Sequence, residues 1–142
     1  MSGPSAHLSW AELECKDGTP YPQAFIDDGR VEIVAALFEA IRSLVDGPLT
    51  VLSAYRTPVH NRRIGGAPNS QHVEGRALDL RPPAGMAVAD FYATIVAAPL
   101  PDLGGIGLYL TGRFVHVDVR ARGPRGLLVR WNGGTQRKDD RG

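Results

Sequence analysis

The apolar residues of two segments recur at the spacing of an amphipathic helix. Between residues 31 and 45 they lie three or four positions apart, on one helical face, and an Asp-Gly-Pro run follows as a typical helix end. Residues 87–97 repeat the pattern, with Phe91 and Ile95 directed inward. The pattern therefore predicts two amphipathic helices.

Shorter apolar and β-branched segments are predicted as strands. The predicted strands are residues 49–53, 77–81, 105–110, 113–119 and 127–131. The third and fourth are expected to form a β-hairpin around Thr111-Gly112. A Ser-x-x-Glu capping box at Ser9 predicts a short helix near the N-terminus. The polar residues 55–71 are expected to form a loop with one helical turn near residues 58–62.

Alternation within two of these strands separates apolar positions from polar ones. The three valines of residues 113–119 fall on one face, whereas His116 and Asp118 fall on the other. In residues 77–81, Asp79 points away from the leucines on either side of it. Buried histidine and aspartate cost free energy unless they have polar partners, so a shared function is indicated for His116 and Asp118.

Helices and strands in mixed order, in a chain of 142 residues, indicate a single α+β domain with its own hydrophobic core. We expect a small antiparallel sheet with flanking helices. The domain is expected to cover residues 1–136, with its core from about residue 8 to residue 131, and the basic tail at 137–142 is expected to be frayed. The 17 glycines and 11 prolines indicate many turns and loops, which often carry functional sites.

Composition and charge exclude several classes of protein. The formal net charge is +1 and the arginines are spread along the chain, which gives no sign of a nucleic-acid-binding surface. No apolar stretch approaches the length of a membrane span, and the N-terminus lacks the basic and apolar regions of a signal peptide. We therefore expect a soluble monomer made in the cytoplasm. The single cysteine, Cys15, excludes an internal disulfide and a cysteine-based zinc knuckle, and we interpret it as structural.

A histidine and an aspartate flank a glycine-containing turn within residues 70–79. Six residues separate His72 from Asp79, and Gly75 between them allows a close backbone turn. His116 downstream supplies a third potential ligand. Two histidines and one carboxylate with an open fourth position are the ligand set of a catalytic zinc, although other divalent ions also accept these donors. The sequence therefore predicts a metal-dependent hydrolase.

The order of these motifs resembles that of the M15 family of zinc D-alanyl-D-alanine carboxypeptidases and peptidoglycan endopeptidases, which is related in fold to the hedgehog signalling domain. The matching segments are residues 8–15, 53–61, 65–66, the pattern His72-x-x-Gly75-x-Ala77-x-Asp79 preceded by Ser70, and residues 114–118. The resemblance extends from about residue 8 to Trp131. Several separated motifs in the same order are more specific than one short pattern.

The resemblance implies zinc bound by His72, Asp79 and His116. It also implies that Arg56 holds a carboxylate or carbonyl of the substrate during catalysis, a role that suits the planar guanidinium group. Ser70 is expected beside the metal, as a catalytic or substrate-binding residue. Bound zinc lowers the pKa of water to about 7 and polarises a scissile carbonyl, so hydrolysis near neutral pH is the chemistry that this set implies.

The implied substrates are the peptide stems of bacterial peptidoglycan, cleaved either at a terminal D-alanine or within the stem or cross-bridge. His60 is expected to contact the substrate or to make a hydrogen bond within its loop. The lack of a signal peptide fits a phage or prophage lysis enzyme of the endolysin type, or a virion-associated enzyme, that reaches the cell wall after release.

The chain departs from the family pattern at the general base. Many relatives have an acidic residue three positions before the last zinc histidine, where this chain has Arg113. Asp118 shares a strand face with His116 and is our candidate for the base that activates water. Alternatively, Asp118 orients His116 or pairs with Arg120. Two other functions stay open: a zinc-containing module that binds peptidoglycan or a protein without turnover, and a virion structural protein.

Overall fold

A computed structural model describes residues 2–133 of the chain. The helices are α1 (Trp10–Leu13), α2 (Gln23–Asp27), α3 (Arg30–Val45), α4 (Pro58–Arg63) and α5 (Val88–Ala97). The strands are β1 (Thr50–Ser53), β2 (Ala77–Arg81), β3 (Gly105–Tyr109), β4 (Phe114–Asp118) and β5 (Val129–Asn132), and a 3-10 turn, Pro124–Gly126, precedes β5. The predicted α+β class is confirmed. The tail at 137–142 and the expected domain end at residue 136 lie outside the described residues.

The strands form one sheet in the order β1-β2-β4-β3-β5. All neighbouring pairs are antiparallel except β3 and β5, which are parallel. The prediction of an antiparallel sheet therefore holds for β1 to β4 and not for the last edge. The chain reverses direction between β4 and β5 and passes β3 to reach the free edge, so β5 runs in the same direction as β3.

The long helix α3 is the one that the apolar periodicity predicts, and it begins one residue earlier, at Arg30. Gly29 before it and Asp46 after it have left-handed backbone conformations, with φ of 85° and 51°. Its buried residues are Val31, Val34, Ala35, Leu37, Phe38 and Ile41. These side chains form one core cluster with apolar residues of α5 and of the sheet.

One face of the sheet supplies the other half of this core. Leu78 and Leu80 of β2, Ile106 of β3, and Val115 and Val117 of β4 are all at most 1% exposed. Burying an aliphatic side chain of this size contributes about 1.5–3 kcal/mol relative to leaving it in water. The alternation within β2 and β4 thus directs the leucines and valines into the core and places Asp79, His116 and Asp118 on the opposite face of the sheet.

Local signals explain the short helices to different extents. Ser9 and Glu12 form the predicted capping box at α1, in which the Glu12 carboxylate accepts a hydrogen bond from the Ser9 N–H at 2.8 Å. The helical turn expected near residues 58–62 is the slightly longer α4. Helix α2 was not expected from the sequence, because five residues show no clear period. Tertiary contacts accompany it instead: Phe25 packs edge-on against Tyr21 and Tyr55.

The core role of α3 predicts a large stability loss for Ile41→Ala. Ile41 is fully buried, so removal of its side chain should lower the free energy of unfolding by about 2–5 kcal/mol, through lost burial and a residual cavity. Urea denaturation followed by circular dichroism measures this change. Ile33→Ala is the matched control, because Ile33 lies on the same helix and is 45% exposed; its cost should stay within about 0.5 kcal/mol, apart from the small gain in helix propensity. Equal losses at the two positions would contradict the assignment of the core face.

Candidate metal centre

The structure brings His72, Asp79 and His116 together on the polar face of the sheet. Their potential ligand atoms all lie within 4.8 Å of one another, and all three residues are buried. Asp79 Oδ1 is the common point, 3.1 Å from His72 Nε2 and 3.1 Å from His116 Nδ1. The two imidazole rings meet edge to face, with centroids 5.1 Å apart.

Strand pairing places two of these residues next to each other. Asp79 of β2 and His116 of β4 are direct partners in the antiparallel register, and such partners have side chains a few ångströms apart on one face of the sheet. On either side of this pair, Ser53 of β1 is opposite Asp79, and Gly107 of β3 is opposite His116. The distance between the second and third predicted ligands is therefore set by the sheet itself.

A tight turn before β2 brings in His72. The Gly75 N–H donates to the His72 carbonyl at 3.1 Å, and the Tyr21 hydroxyl donates to the Gly75 carbonyl at 2.7 Å. Gly75 has φ of 69°, and a Cβ at this position would lie 2.5 Å from the Phe25 ring. A residue with a side chain would be strained there and would collide with α2. The turn expected at Gly75 is present, and α2 packs against it.

The hydrogen bonds of the two histidines determine which ring nitrogen is free for a metal. His72 Nδ1 lies 2.6 Å from the Ala54 carbonyl oxygen, which can only accept, so Nδ1 carries the proton and Nε2 faces Asp79. His116 Nε2 lies 2.7 Å from Asp118 Oδ2 and His116 Nδ1 lies 3.1 Å from Asp79 Oδ1, so both ring nitrogens face carboxylates, and an ion bound at Nδ1 would replace any proton there while Nε2 donates to Asp118. Outer hydrogen bonds of this kind orient metal-binding histidines in proteins. The three residues therefore fit a divalent ion.

The electrostatics of the cluster keep Asp79 in the ligating form. Burial alone would raise the pKa of Asp79, but the nearby His72 and His116 rings outweigh it and hold this pKa below the usual range of aspartate. For His72, burial has the larger effect and lowers the pKa. A charged carboxylate and a neutral imidazole are the protonation states that bind a metal.

Asp118 is fully buried, and other groups occupy both of its carboxylate oxygens. Besides His116, the Arg120 side chain donates to Oδ1 from Nε at 2.8 Å and to Oδ2 from Nη2 at 2.7 Å, and the Arg120 N–H donates to Oδ1 at 3.1 Å. Burial alone would raise the pKa of Asp118, but the hydrogen bonds from His116 and Arg120 outweigh this effect and hold the pKa below the usual range of aspartate. The geometry favours orientation of His116, the alternative that the sequence left open. The general-base role stays a prediction without support from these contacts.

Arg56 contacts the side of Asp79 that faces away from the histidines. Its Nη2 donates to Asp79 Oδ2 at 3.4 Å, its Nη1 to Asn61 Oδ1 at 3.1 Å, and its Nε to Ser53 Oγ at 3.2 Å. The residue is 2% exposed. The predicted contact with a substrate carboxylate or carbonyl stays a prediction, and the contacts show a second role that the sequence did not indicate, the positioning of the Asp79 carboxylate.

Ser70 and His60 occupy different parts of the site. Ser70 is buried, and its Oγ accepts a hydrogen bond from the His72 N–H at 3.1 Å, so it helps to form the turn that holds this ligand. The His60 N–H donates to Thr57 Oγ1, the cap of α4, at 3.1 Å. The His60 side chain lines a pocket of about 250 Å³ that also includes Arg56 and Asp79. Their predicted catalytic and substrate-binding roles stay predictions.

Trp131 and two glycines belong to the site and were not among the predicted site residues. The Trp131 ring lies 5.1 Å from the His116 ring, and its Nε1 donates to the Tyr109 hydroxyl at 3.0 Å. Gly107 is the partner of both His116 and Trp131 in the sheet, and a Cβ on Gly107 would collide with the indole ring. A Cβ on Gly105 would lie 2.6 Å from the Asp118 carboxylate. Gly105 and Gly107 alternate along β3. A Gly-x-Gly pattern within a strand often marks a close approach of neighbouring groups, so this pattern could have indicated the site from the sequence.

Two histidines, each held by an outer hydrogen bond, and an aspartate lie together beside a pocket of an α+β fold. This arrangement is typical of a metallopeptidase. The family comparison agrees: residues 6–118 match the model for Peptidase M15. The chain belongs to the peptidase M15 family, as its motifs predicted. Members of this family are metal-dependent peptidases, so the chain is a metallopeptidase with a peptide substrate. No curated protein matches it.

The contacts of Asp118 predict that Asp118→Asn weakens metal binding. The amide cannot supply the negative charge that holds His116 Nε2–H and Arg120, so metal affinity should fall about 10–100-fold, as for other outer-shell partners of metal ligands. Competition with a chromophoric chelator measures the affinity, and circular dichroism checks the fold. Asp102→Asn is the matched control, because Asp102 is exposed and should leave affinity unchanged. If Asp118→Asn abolishes hydrolysis at unaltered metal affinity, Asp118 acts as the base instead.

Proposed function

We propose that the protein is a zinc-dependent peptidase of bacterial peptidoglycan stem peptides, acting as a D,D-carboxypeptidase or an endopeptidase. The observation that carries this proposal is the convergence of His72 Nε2 and His116 Nδ1 on Asp79 Oδ1, next to a pocket that Asp79 itself lines. Three nitrogen and oxygen ligands with space beside them are typical of catalytic zinc. When bound, zinc supplies an activated water molecule and a Lewis acid for the scissile carbonyl.

The charge of the pocket supports an acidic substrate. Lys16, Arg56 and His60 line it together with the apolar residues Leu52, Ile64 and Phe114. Two cationic side chains suit a peptide that presents a C-terminal or side-chain carboxylate, and the apolar wall suits small alkyl side chains. Peptidoglycan stems offer both kinds of group. None of the helices in the described part of the chain is long and apolar enough to cross a membrane.

One observation favours a second candidate function. Asp79 is the sole carboxylate among the described residues that line the pocket, and Asp79 is itself a predicted metal ligand. Since Asp118 is enclosed by His116 and Arg120, none of the residues found to line the pocket in the described part of the chain offers a further carboxylate to take a proton from water. The alternative is therefore a module that keeps the metal as a structural element and binds peptidoglycan or a protein without cleaving it.

Mass spectrometry of purified peptidoglycan separates these functions. Incubation with the zinc-loaded protein should release free D-alanine if the enzyme is a carboxypeptidase, or larger stem fragments if it is an endopeptidase. A chelated sample lacks the metal and the variant His116→Gln lacks one of its ligands, so neither should release D-alanine or stem fragments. If the peptidoglycan is unchanged although zinc is confirmed in the protein, the peptidase proposal is wrong. Co-sedimentation of the protein with peptidoglycan would then support the binding module.

Arg56→Lys distinguishes the two roles of Arg56. Lysine keeps the positive charge but loses the fork that reaches Ser53, Asn61 and Asp79 at once. If Arg56 mainly binds substrate, KM should rise with zinc affinity unchanged. If it mainly positions Asp79, zinc affinity should fall about 10-fold or more. Chelator competition and steady-state kinetics separate the outcomes, with Arg62→Lys as the control on the exposed part of α4.

A further inference from the structure

A second group of potential metal ligands lies apart from His72, Asp79 and His116. Its members are Cys15, Asp17 and His60, whose sulphur, carboxylate and ring-nitrogen atoms all lie within 4.8 Å of one another. Cys15 and Asp17 lie in the loop after α1, and His60 lies in the first turn of α4. One sulphur, one oxygen and one nitrogen donor from two separate segments form a ligand set that zinc and similar ions accept.

The loop after α1 holds Cys15 and Asp17 in a fixed turn. The Cys15 N–H donates to the Thr19 carbonyl at 2.9 Å, and the Gly18 N–H donates to the Cys15 carbonyl at 2.9 Å. The Thr19 N–H donates to Asp17 Oδ1, also at 2.9 Å. These bonds close the turn from both directions, so the two donor side chains are positioned before any ion arrives.

Thr57 connects this turn to the helix that carries His60. The Thr57 backbone nitrogen lies 3.4 Å from Cys15 Sγ. Thr57 Oγ1 donates to Asp17 Oδ2 at 2.9 Å and accepts a hydrogen bond from the His60 N–H at 3.1 Å. The thiolate is the form of cysteine that binds a metal, so an ion bound here would replace the thiol proton of Cys15. The Thr19 N–H first, and then the other hydrogen bonds, hold the pKa of Asp17 well below its usual range.

Burial is graded across the group in a way that suits ion entry. Cys15 is 1% exposed, His60 is half-buried, and Asp17 is on the surface. An ion can therefore approach from the side of Asp17 and reach the sulphur, while the remaining coordination positions stay open to water. Coordination would displace the thiol proton of Cys15 to solvent.

We propose that Cys15, Asp17 and His60 form a second site, for a divalent transition-metal ion such as zinc or cobalt. The sulphur donor selects such ions against magnesium and calcium. The site is at the edge of the pocket that leads to the first centre, because Lys16 and His60 line that pocket with Arg56 and Asp79. An ion in the second site would bind a ring nitrogen of His60 and fix the ring at the wall of the pocket, so that this nitrogen is not available to a substrate.

Cobalt titration tests this site without any assay of activity. Cys15 is the single cysteine of the chain, so a thiolate-to-cobalt charge-transfer band in the near ultraviolet can come from no other residue. The wild-type protein should bind two cobalt ions per chain and show this band. Asp17→Asn and His60→Gln alter exposed or half-buried positions and should lower the affinity for the cobalt ion that gives the band by about 10-fold or more. Cys15→Ser should remove the band.

The variant His72→Gln/His116→Gln separates this proposal from the first centre. It should lose one cobalt ion and keep the charge-transfer band, because it alters neither donor segment of the second site. A wild-type protein that saturates with one cobalt ion and shows no thiolate band would overturn the proposal, and this result would stand even if Cys15→Ser failed to fold. If the peptidase proposal is wrong, the peptidoglycan stays unchanged in the digestion experiment, whereas the thiolate-to-cobalt band is still observed.

Discussion

The pairing of β2 with β4 positions the candidate metal centre, because Asp79 and His116 are direct cross-strand partners. The apolar side chains of the same strands enforce this register: Leu78 and Val117 are also direct partners, and both are buried on the opposite face. A slip of one residue would move Asp79 into the core and expose leucine at the site. The free energy of core burial therefore also fixes the separation of two potential metal ligands.

Buried charge at this centre is arranged as an alternating series. Arg56 contacts Asp79, Asp79 contacts His116, His116 contacts Asp118, and Asp118 contacts Arg120. Each buried carboxylate thus has an arginine on one side and an imidazole on the other. Removing one member of such a series would leave a buried charge without its partner, which is strongly destabilising. The series lets the two carboxylates stay ionised in a dry environment and still leaves one nitrogen of His116 directed at Asp79.

Sequence patterns predicted the elements whose signal is local or periodic. The period of α3 and the capping box at Ser9 are of this kind, and the motif order indicated that His72, Asp79 and His116 belong to one site, where the structure brings them together. Helix α2, the parallel position of β5 and the second role of Arg56 depend on contacts between distant segments, which no local pattern encodes. The contacts of Asp118 show the limit clearly. Alternation placed it on the face of His116, but only the folded chain shows which of its oxygens are already occupied.

The family match ends at residue 118, whereas the wall of the centre continues beyond it. Arg120 holds Asp118, and Trp131 of β5 lies against the His116 ring, where a side chain on Gly107 of β3 would collide with the indole. A shortened chain ending after β4 would keep His72, Asp79 and His116 but lose both of these neighbours. The segment that contains the three potential ligands is therefore shorter than the segment that contains the residues packed around them.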